Sequence, residues 1–174
     1  MAIKNKFDQK SNIVLIGMPG AGKSTVGVHL AKYVAKDFLD SDISIQLREE
    51  RTLQEIIDAE GFMRLREIEE EVLLSLNYTN HVISTGGSAV YSEKAMTYLR
   101  KDGVIVFLDV TLDTIRKRVR DFDTRGIAKQ DDQTFEDLFQ ERFELYSKFS
   151  DLRINCKELT QEQITWTIKE ELGL

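Results

Sequence analysis

The residue types and spacing at positions 17–25 are those of a phosphate-binding loop. The segment reads Gly-Met-Pro-Gly-Ala-Gly-Lys-Ser-Thr and matches the pattern G-x-x-x-x-G-K-[ST]. Its glycines let successive backbone N–H groups turn toward a phosphate chain, its lysine adds a positive charge for the β- and γ-phosphates, and its serine hydroxyl is a Mg²⁺ ligand. We therefore expect Lys23 to act in catalysis, Ser24 to bind the metal, and the nucleotide phosphates to contact Gly20, Ala21, Gly22, Lys23, Ser24 and Thr25.

Two carboxylates, Asp40 and Asp42, follow an apolar run that ends at Leu39. On an extended segment, residues two apart point to the same side, so both carboxylates are expected to face the ligand. One carboxylate near Mg²⁺ and one near a substrate hydroxyl would suit phosphoryl transfer, because an aspartate can accept the hydroxyl proton. The simpler alternative is that Asp42 caps a helix that begins at residue 43.

Paired glycines, Gly86 and Gly87, follow the apolar run at 81–85. The carboxyl ends of parallel strands face the ligand crevice, and glycines there leave backbone N–H groups open to a small substrate. A tight strand-to-helix turn is the alternative explanation.

Two arginines on predicted helices, Arg66 and Arg142, are candidate ligands for a small carboxylate. Arg66 and Glu69 are three residues apart on one helix, so the carboxylate could hold the guanidinium in one pose. A fixed arginine binds a carboxylate through two parallel hydrogen bonds. Solvated helix faces with surface ion pairs would explain the same residues.

The segment 121–133 has no apolar period and lies between two predicted helices. A mobile lid fits this position, and an ordinary surface loop is the alternative. Within the segment, Arg125 is a candidate catalytic residue that would stabilise charge on the phosphates.

Short apolar runs alternate with amphipathic helical stretches, which is typical of an α/β protein with a parallel sheet. A buried strand before the loop and a helix after it place the positive end of the helix dipole on the phosphates. The predicted strands are 12–16, 37–40, 81–85, 104–109 and 152–156. The predicted helices are 23–35, 43–49, 53–59, 62–76, 92–101, 112–120, 134–148 and 161–172.

Length and composition limit the class of protein. A chain of 174 residues is expected to form a single domain over 1–174. Its net charge of −6 gives no field that would attract nucleic acid or an anionic membrane. The chain contains no apolar run long enough to span a bilayer. We expect a cytoplasmic protein that is a monomer and binds neither nucleic acid nor membrane.

The ordered set of motifs resembles the shikimate kinase family. That family's pattern is a P-loop, Asp-Ser-Asp, Phe-Arg-x-x-Glu, Gly-Gly-Gly, a lid with Arg-Pro-Leu, and Arg-x-Pro-Leu-Tyr. The matching segments here are 17–25, 40–42, 65–69, 86–88, 125–127 and 142–146. The resemblance implies a three-layer P-loop fold, related to nucleoside monophosphate kinases, with a five-stranded parallel sheet, a substrate-binding helical segment at about 42–76 and a lid at about 121–133.

The resemblance also implies an activity and a role for each matching residue. ATP and Mg²⁺ would be used to phosphorylate the 3-hydroxyl of shikimate in aromatic amino-acid biosynthesis. By match, Asp42 would be the catalytic base, Asp40 would hold Mg²⁺ through water together with Ser24, and Arg125 would be the lid arginine. The substrate would be bound by Asp42, Arg66, Gly86, Gly87 and Arg142.

This sequence departs from the family pattern around the lid and the pocket floor. Leu65 replaces an aromatic residue, Ser88 the third glycine, Gly126 and Glu144 two prolines, and Ile127 a leucine. These changes bear on the substrate more than on the reaction class. Two alternatives therefore stand beside shikimate kinase: a related kinase acting on another small hydroxylated acid or amino acid, and a non-catalytic nucleotide-binding regulatory protein.

Overall fold

A single parallel sheet forms the centre of the computed structural model, which describes residue 7 and residues 10–119, 126–130 and 132–174. Its strand order is β2-β3-β1-β4-β5, and every neighbouring pair is parallel. The strands are β1 (Asn12–Ile16), β2 (Asp37–Asp40), β3 (His81–Ser84), β4 (Gly103–Asp109) and β5 (Leu152–Asn155). The predicted α/β class with a five-stranded parallel sheet is confirmed, and each predicted strand is correct to within one residue.

Helices connect and flank the strands, as the alternating pattern predicts. Their bounds are α1 (Lys23–Val34), α2 (Ser41–Glu49), α3 (Leu53–Glu60), α4 (Phe62–Ser75), α5 (Glu93–Asp102), α6 (Leu112–Arg118), α7 (Phe135–Phe149) and α8 (Gln161–Glu171). A 3₁₀ turn at Ala89–Tyr91 precedes α5 and was not predicted.

Helix α2 begins two residues earlier than predicted. Asp40 is its N-cap, and the Asp40 side chain accepts a hydrogen bond from the backbone N–H of Asp42 at 3.0 Å. Asp42 therefore lies in the first turn of a helix. Both sequence interpretations of this residue were wrong in geometry, because it is neither on an extended segment nor the N-cap itself.

Buried residues form two hydrophobic clusters. The larger one surrounds the sheet and includes residues 13–16 of β1, whose parallel position between β3 and β4 explains its unbroken apolar run. The smaller one joins α2, α3 and α4 and is closed by Ala128; its buried members are Ile45, Ile56, Leu65, Ile68, Val72 and Ala128. The predicted substrate-binding segment thus has its own apolar support.

None of the helices in the described part of the chain is long and apolar enough to cross a membrane.

Candidate active site

The phosphate-binding loop joins the end of β1 to the start of α1. Helix α1 begins at Lys23, directly after Gly22, and no side chain caps its first backbone N–H groups. Uncapped N–H groups at a helix N-terminus, together with the helix dipole, form a binding site for anions. The local structure is therefore the strand–loop–helix arrangement that the motif predicts.

Lys23 is buried at the base of this loop. Its side-chain Nζ donates to the backbone oxygens of Gly17 at 2.8 Å and Met18 at 3.1 Å. Burial lowers the pKa of Lys23 to about 8, although the nearby carboxylates of Asp42 and Asp40 oppose that shift.

The two predicted metal ligands lie side by side. The hydroxyl of Ser24, in the first turn of α1, donates to Oδ2 of Asp40 at 2.6 Å. The hydroxyl of Ser84, at the end of β3, is 3.5 Å from that of Ser24. Hydroxyl and carboxylate oxygens are the hard ligands that Mg²⁺ prefers, so the donor set fits this ion.

The carboxyl group of Asp42 lies next to the glycine pair that follows β3. Withdrawal of its carboxyl from water raises the pKa of Asp42 to about 6, while the charge of Lys23 acts in the opposite direction. A Cβ atom at Gly86 would lie 2.6 Å from Asp42 Oδ1 and still closer to Glu69 Oε1. Only glycine therefore lets both carboxylates approach the backbone here.

The glycine pair already makes bonds within the protein. The N–H of Gly86 donates to the hydroxyl of Ser41 at 2.9 Å. The carbonyl of Gly87 accepts from the hydroxyl of Tyr146 at 2.7 Å. These bonds link the pocket floor to α2 on one side and to α7 on the other.

Glu69 is a buried pocket residue whose partner sequence reasoning assigned incorrectly. Its side chain is 3% exposed, Oε2 accepts from the hydroxyl of Ser88, and Oε1 has no hydrogen-bond partner among the described residues. Burial and the neighbouring Asp42 raise the pKa of Glu69 to about 7, against the Ser88 bond and the charges of Arg142 and Lys23.

The expected Arg66–Glu69 pair does not form, and the Glu69 carboxylate accepts a hydrogen bond from Ser88 instead. One sequence signal indicated that Glu69 is buried. Glu69 is spaced three or four residues from Leu65, Val72 and Leu73, so it lies on the apolar face of α4.

The two arginines converge on one backbone oxygen. Nη2 of Arg142 donates to the carbonyl of Ala128 at 2.6 Å, and Nη2 of Arg66 donates to the same oxygen at 3.3 Å. Arg142 is 1% exposed and lines the cavity above the loop, whereas Arg66 lies beside that cavity with its guanidinium over the ring of Tyr91. The sequence-predicted pair is therefore brought together.

Part of the predicted lid rests on α3. The N–H of Gly126 donates to Oε1 of Gln54 at 2.8 Å. Gly126 has a φ of 64°, and a Cβ atom there would lie 2.5 Å from the Cβ of Leu53. Arg125 and residues 121–124 and 131 of the predicted lid lie outside the described residues.

These groups surround one cavity of ≈ 350 Å³. The phosphate-binding loop forms one side, Asp42 and Glu69 another, and the strand end at 85–88 the floor. Residues 126–128 and Arg142 complete the lining. The site can therefore bring a nucleotide phosphate, a carboxylate base and a cationic anchor to one small molecule.

Comparison with known proteins decides the family. A model of the shikimate kinase family matches residues 19–173. The chain belongs to the shikimate kinase family. Shikimate kinases are small-molecule kinases with ATP as phosphoryl donor, and the predictions of the family, the enzyme class and ATP are confirmed.

Several members of the shikimate kinase family cover most of this chain. A shikimate kinase of Clostridium botulinum (strain ATCC 19397 / Type A) is 39% identical over 141 residues, which are 79% of this chain and 83% of that protein. One of Shewanella frigidimarina is 33% identical over 168 residues, which are 95% and 98% of the two chains. The solved structure of a shikimate kinase from Acinetobacter baumannii in complex with shikimate has a TM-score of 0.86 at 29% identity and covers 96% of each chain.

Proposed function

We propose that this chain transfers the γ-phosphoryl group of ATP to the 3-hydroxyl of shikimate. The observation that carries the proposal is that Lys23, Asp42 and Arg142 line one cavity. Lys23 is the phosphate side of this cavity and Arg142 the carboxylate side. A small acid bound between them presents a hydroxyl to the phosphates.

The transfer needs one proton acceptor and one leaving group. The substrate hydroxyl oxygen forms a bond to the γ-phosphorus, and the bond from that phosphorus to the oxygen bridging the β-phosphate breaks, so that ADP leaves. Asp42 is the acceptor for the hydroxyl proton, since of the two pocket carboxylates it interacts more strongly with Lys23, whereas Glu69 is hydrogen-bonded to Ser88. Lys23 balances negative charge on the phosphates.

The binding roles follow from position. Arg142 and Arg66 are proposed to bind the substrate carboxylate, and the floor at Gly86 and Gly87 to support its ring. Ser24, and Asp40 through water, are proposed to hold Mg²⁺, which neutralises phosphate charge when bound.

The first experiment measures turnover directly. The purified protein with ATP and Mg²⁺ is expected to phosphorylate shikimate, with ADP release followed by a coupled assay and the product identified by mass spectrometry. A panel of other small hydroxylated acids and amino acids is measured in parallel. Turnover of another acid without turnover of shikimate would contradict the proposed substrate, and turnover of none would favour a regulatory role.

The Asp42→Asn substitution tests the base. It should lower kcat by about 100-fold or more, because the amide cannot accept the hydroxyl proton. Asp37→Asn is the matched control, since Asp37 is exposed at the start of β2, the strand that leads into α2. A kcat near that of the unmodified protein would remove Asp42 from catalysis.

A further inference from the structure

The guanidinium of Arg66 is held by aromatic rings rather than by an acid. Its Cζ lies 3.6 Å from the ring centroid of Tyr91 and 5.1 Å from that of Phe62. In the described part of the chain, Arg66 forms no ion pair with a carboxylate, and its Nε is buried without a hydrogen-bond partner. Burial lowers the pKa of Arg66, as does the neighbouring charge of Arg142, while Tyr91 and Glu141 act in the opposite direction.

The same ring faces the second arginine. The Cζ of Arg142 lies 5.5 Å from the Tyr91 centroid, and the Nε of Arg142 is likewise buried with no partner among the described residues. Both guanidinium groups donate to the carbonyl of Ala128. Two guanidinium cations thus lie beside one ring, and the Nε–H group of each has no hydrogen-bond partner among the described residues.

Two local features of the chain produce this arrangement. The hydroxyl of Ser88 donates to Oε2 of Glu69, and the carboxylate that helical spacing would offer to Arg66 lies in the pocket wall instead. The 3₁₀ turn that follows, with the N–H of Tyr91 bonded to the carbonyl of Ser88 at 3.0 Å, then places the Tyr91 ring against Arg66.

A ring and a carboxylate hold an arginine in different ways. A carboxylate uses the N–H edge of the guanidinium and neutralises its charge. An aromatic ring attracts the face of the cation and leaves both the edge and the charge available. An arginine that must bind an anionic substrate is therefore better positioned by a ring than by an acid.

We propose that Tyr91 is a positioning residue that orients Arg66 and Arg142 for the carboxylate of the acid substrate. This inference rests on the proposed function, because it takes the acid to be bound by these arginines. The ring, which faces both guanidinium groups, carries the effect rather than the phenol oxygen.

The test compares substitutions that keep and remove the ring. Tyr91→Leu and Tyr91→Met should each raise the KM for shikimate by about five- to thirtyfold, the range expected for a partly desolvated cation–ring contact. The kcat and the KM for ATP should change by less than about twofold, because Tyr91 does not line the cavity at the phosphate-binding loop. Tyr91→Phe should retain the KM of the unmodified protein. Tyr78→Leu is the control, since Tyr78 is exposed and stacks on His81 rather than on an arginine.

A double-mutant cycle with Arg66→Ala separates positioning from general packing. Adding Tyr91→Leu or Tyr91→Met to Arg66→Ala should raise the KM for shikimate by clearly less than it does in the unmodified protein, since only Arg142 remains to be oriented. The melting temperature of each variant is measured alongside, and Tyr91→Met provides the measurement if Tyr91→Leu does not fold.

Three outcomes would overturn the inference: an unchanged KM when the ring is removed, an equal loss in Tyr91→Phe, or an undiminished effect in the Arg66→Ala background. Failure of the unmodified protein to phosphorylate shikimate would instead contradict the proposed function, so the two failures are distinguishable.

Discussion

Glu69 and Asp42 are two acids that share one pocket wall with Lys23 and Arg142. Both carboxylates approach the backbone of Gly86, and both have a raised pKa because burial disfavours their charged forms. The charges of Lys23 and Arg142 oppose the rise in the pKa of Glu69 but do not cancel it. The pocket therefore holds acids whose charge changes within the range of ordinary assay pH.

The titration of Glu69 makes the stability of the fold depend on pH. The ordinary pKa of a glutamate carboxyl is 4.5, and the pKa of Glu69 in the folded protein is about 7. The folded protein therefore binds this proton more tightly than the unfolded chain does. The contribution of protonated Glu69 to the free energy of unfolding is fully present below pH 4.5 and decreases as the pH rises toward 7. Glu69→Gln removes this titration. The unfolding free energy of the variant minus that of the unmodified protein should rise by up to about 3 kcal/mol across this window.

Urea denaturation at a series of pH values, without ligands, measures this difference. Glu67→Gln is the matched control, because Glu67 lies on the same helix with its side chain 61% exposed and should show no comparable trend. A difference between Glu69→Gln and the unmodified protein that does not vary with pH would show that the pKa of Glu69 is the same in the folded and unfolded states, and would contradict the raised pKa.

At the scale of elements, the segment 126–130 links α3 to α7 across the mouth of the pocket. Gly126 bonds to Gln54 of α3, and Ala128 accepts from Arg142 of α7. A proline at position 126, as in the family pattern, could supply neither the N–H that Gln54 accepts nor the φ of 64°. The departure from the family at this position is therefore matched by the contact with α3.

Gly126→Ala should displace this segment. The added Cβ would approach that of Leu53 at 2.5 Å and would require a left-handed backbone, so the docked position is disfavoured. We expect the KM for shikimate to rise about fivefold or more, because a left-handed alanine costs about 1 kcal/mol.

Steady-state kinetics with shikimate as the varied substrate measures this change. Gly173→Ala is the control, since Gly173 also has a positive φ but lies at the end of α8. If both variants keep the KM of the unmodified protein, the docked segment plays no part in substrate binding.

At the scale of the whole molecule, the strand order brings distant residues to one edge. Because β1 lies between β3 and β4, with β2 beyond β3, the carboxyl ends of β1, β2 and β3 meet at the same side of the sheet. The phosphate-binding loop, Asp40 and Gly86 each follow one of these ends. Parallel connection through helices thus assembles a site from segments dozens of residues apart in sequence.

We propose that the chain folds as one domain, and its unfolding tests this. Calorimetry should show one transition whose calorimetric and van't Hoff enthalpies agree.

Shikimate at 100 times its dissociation constant should raise the free energy of unfolding by about 2.7 kcal/mol. In Arg142→Ala, the increment due to shikimate should be largely lost while the increment due to ADP and Mg²⁺ persists. Two unfolding transitions would contradict the single domain. An unaltered shikimate increment in Arg142→Ala would contradict the binding of shikimate by Arg142.

Most of the elements could be predicted from the sequence because their signals are local. The buried run at 12–16 and the period of α1 need only neighbouring residues to be recognised. The start of α2 was misplaced, since Asp40 and Asp42 both suit an N-cap and only the folded backbone selects between them. The 3₁₀ turn at Ala89–Tyr91 is too short to show a period.

The sequence by itself determined the phosphate chemistry, because a P-loop is built from nine contiguous residues between a strand and a helix. It also predicted two arginines and two aspartates as candidate site residues. Only the tertiary structure decided which groups pair. Helical spacing offered Glu69 to Arg66, a pairing worth only about 0.5 kcal/mol on a helix surface. Burial against the strand end outweighed it, so Glu69 bonds Ser88 and Arg66 stacks on Tyr91.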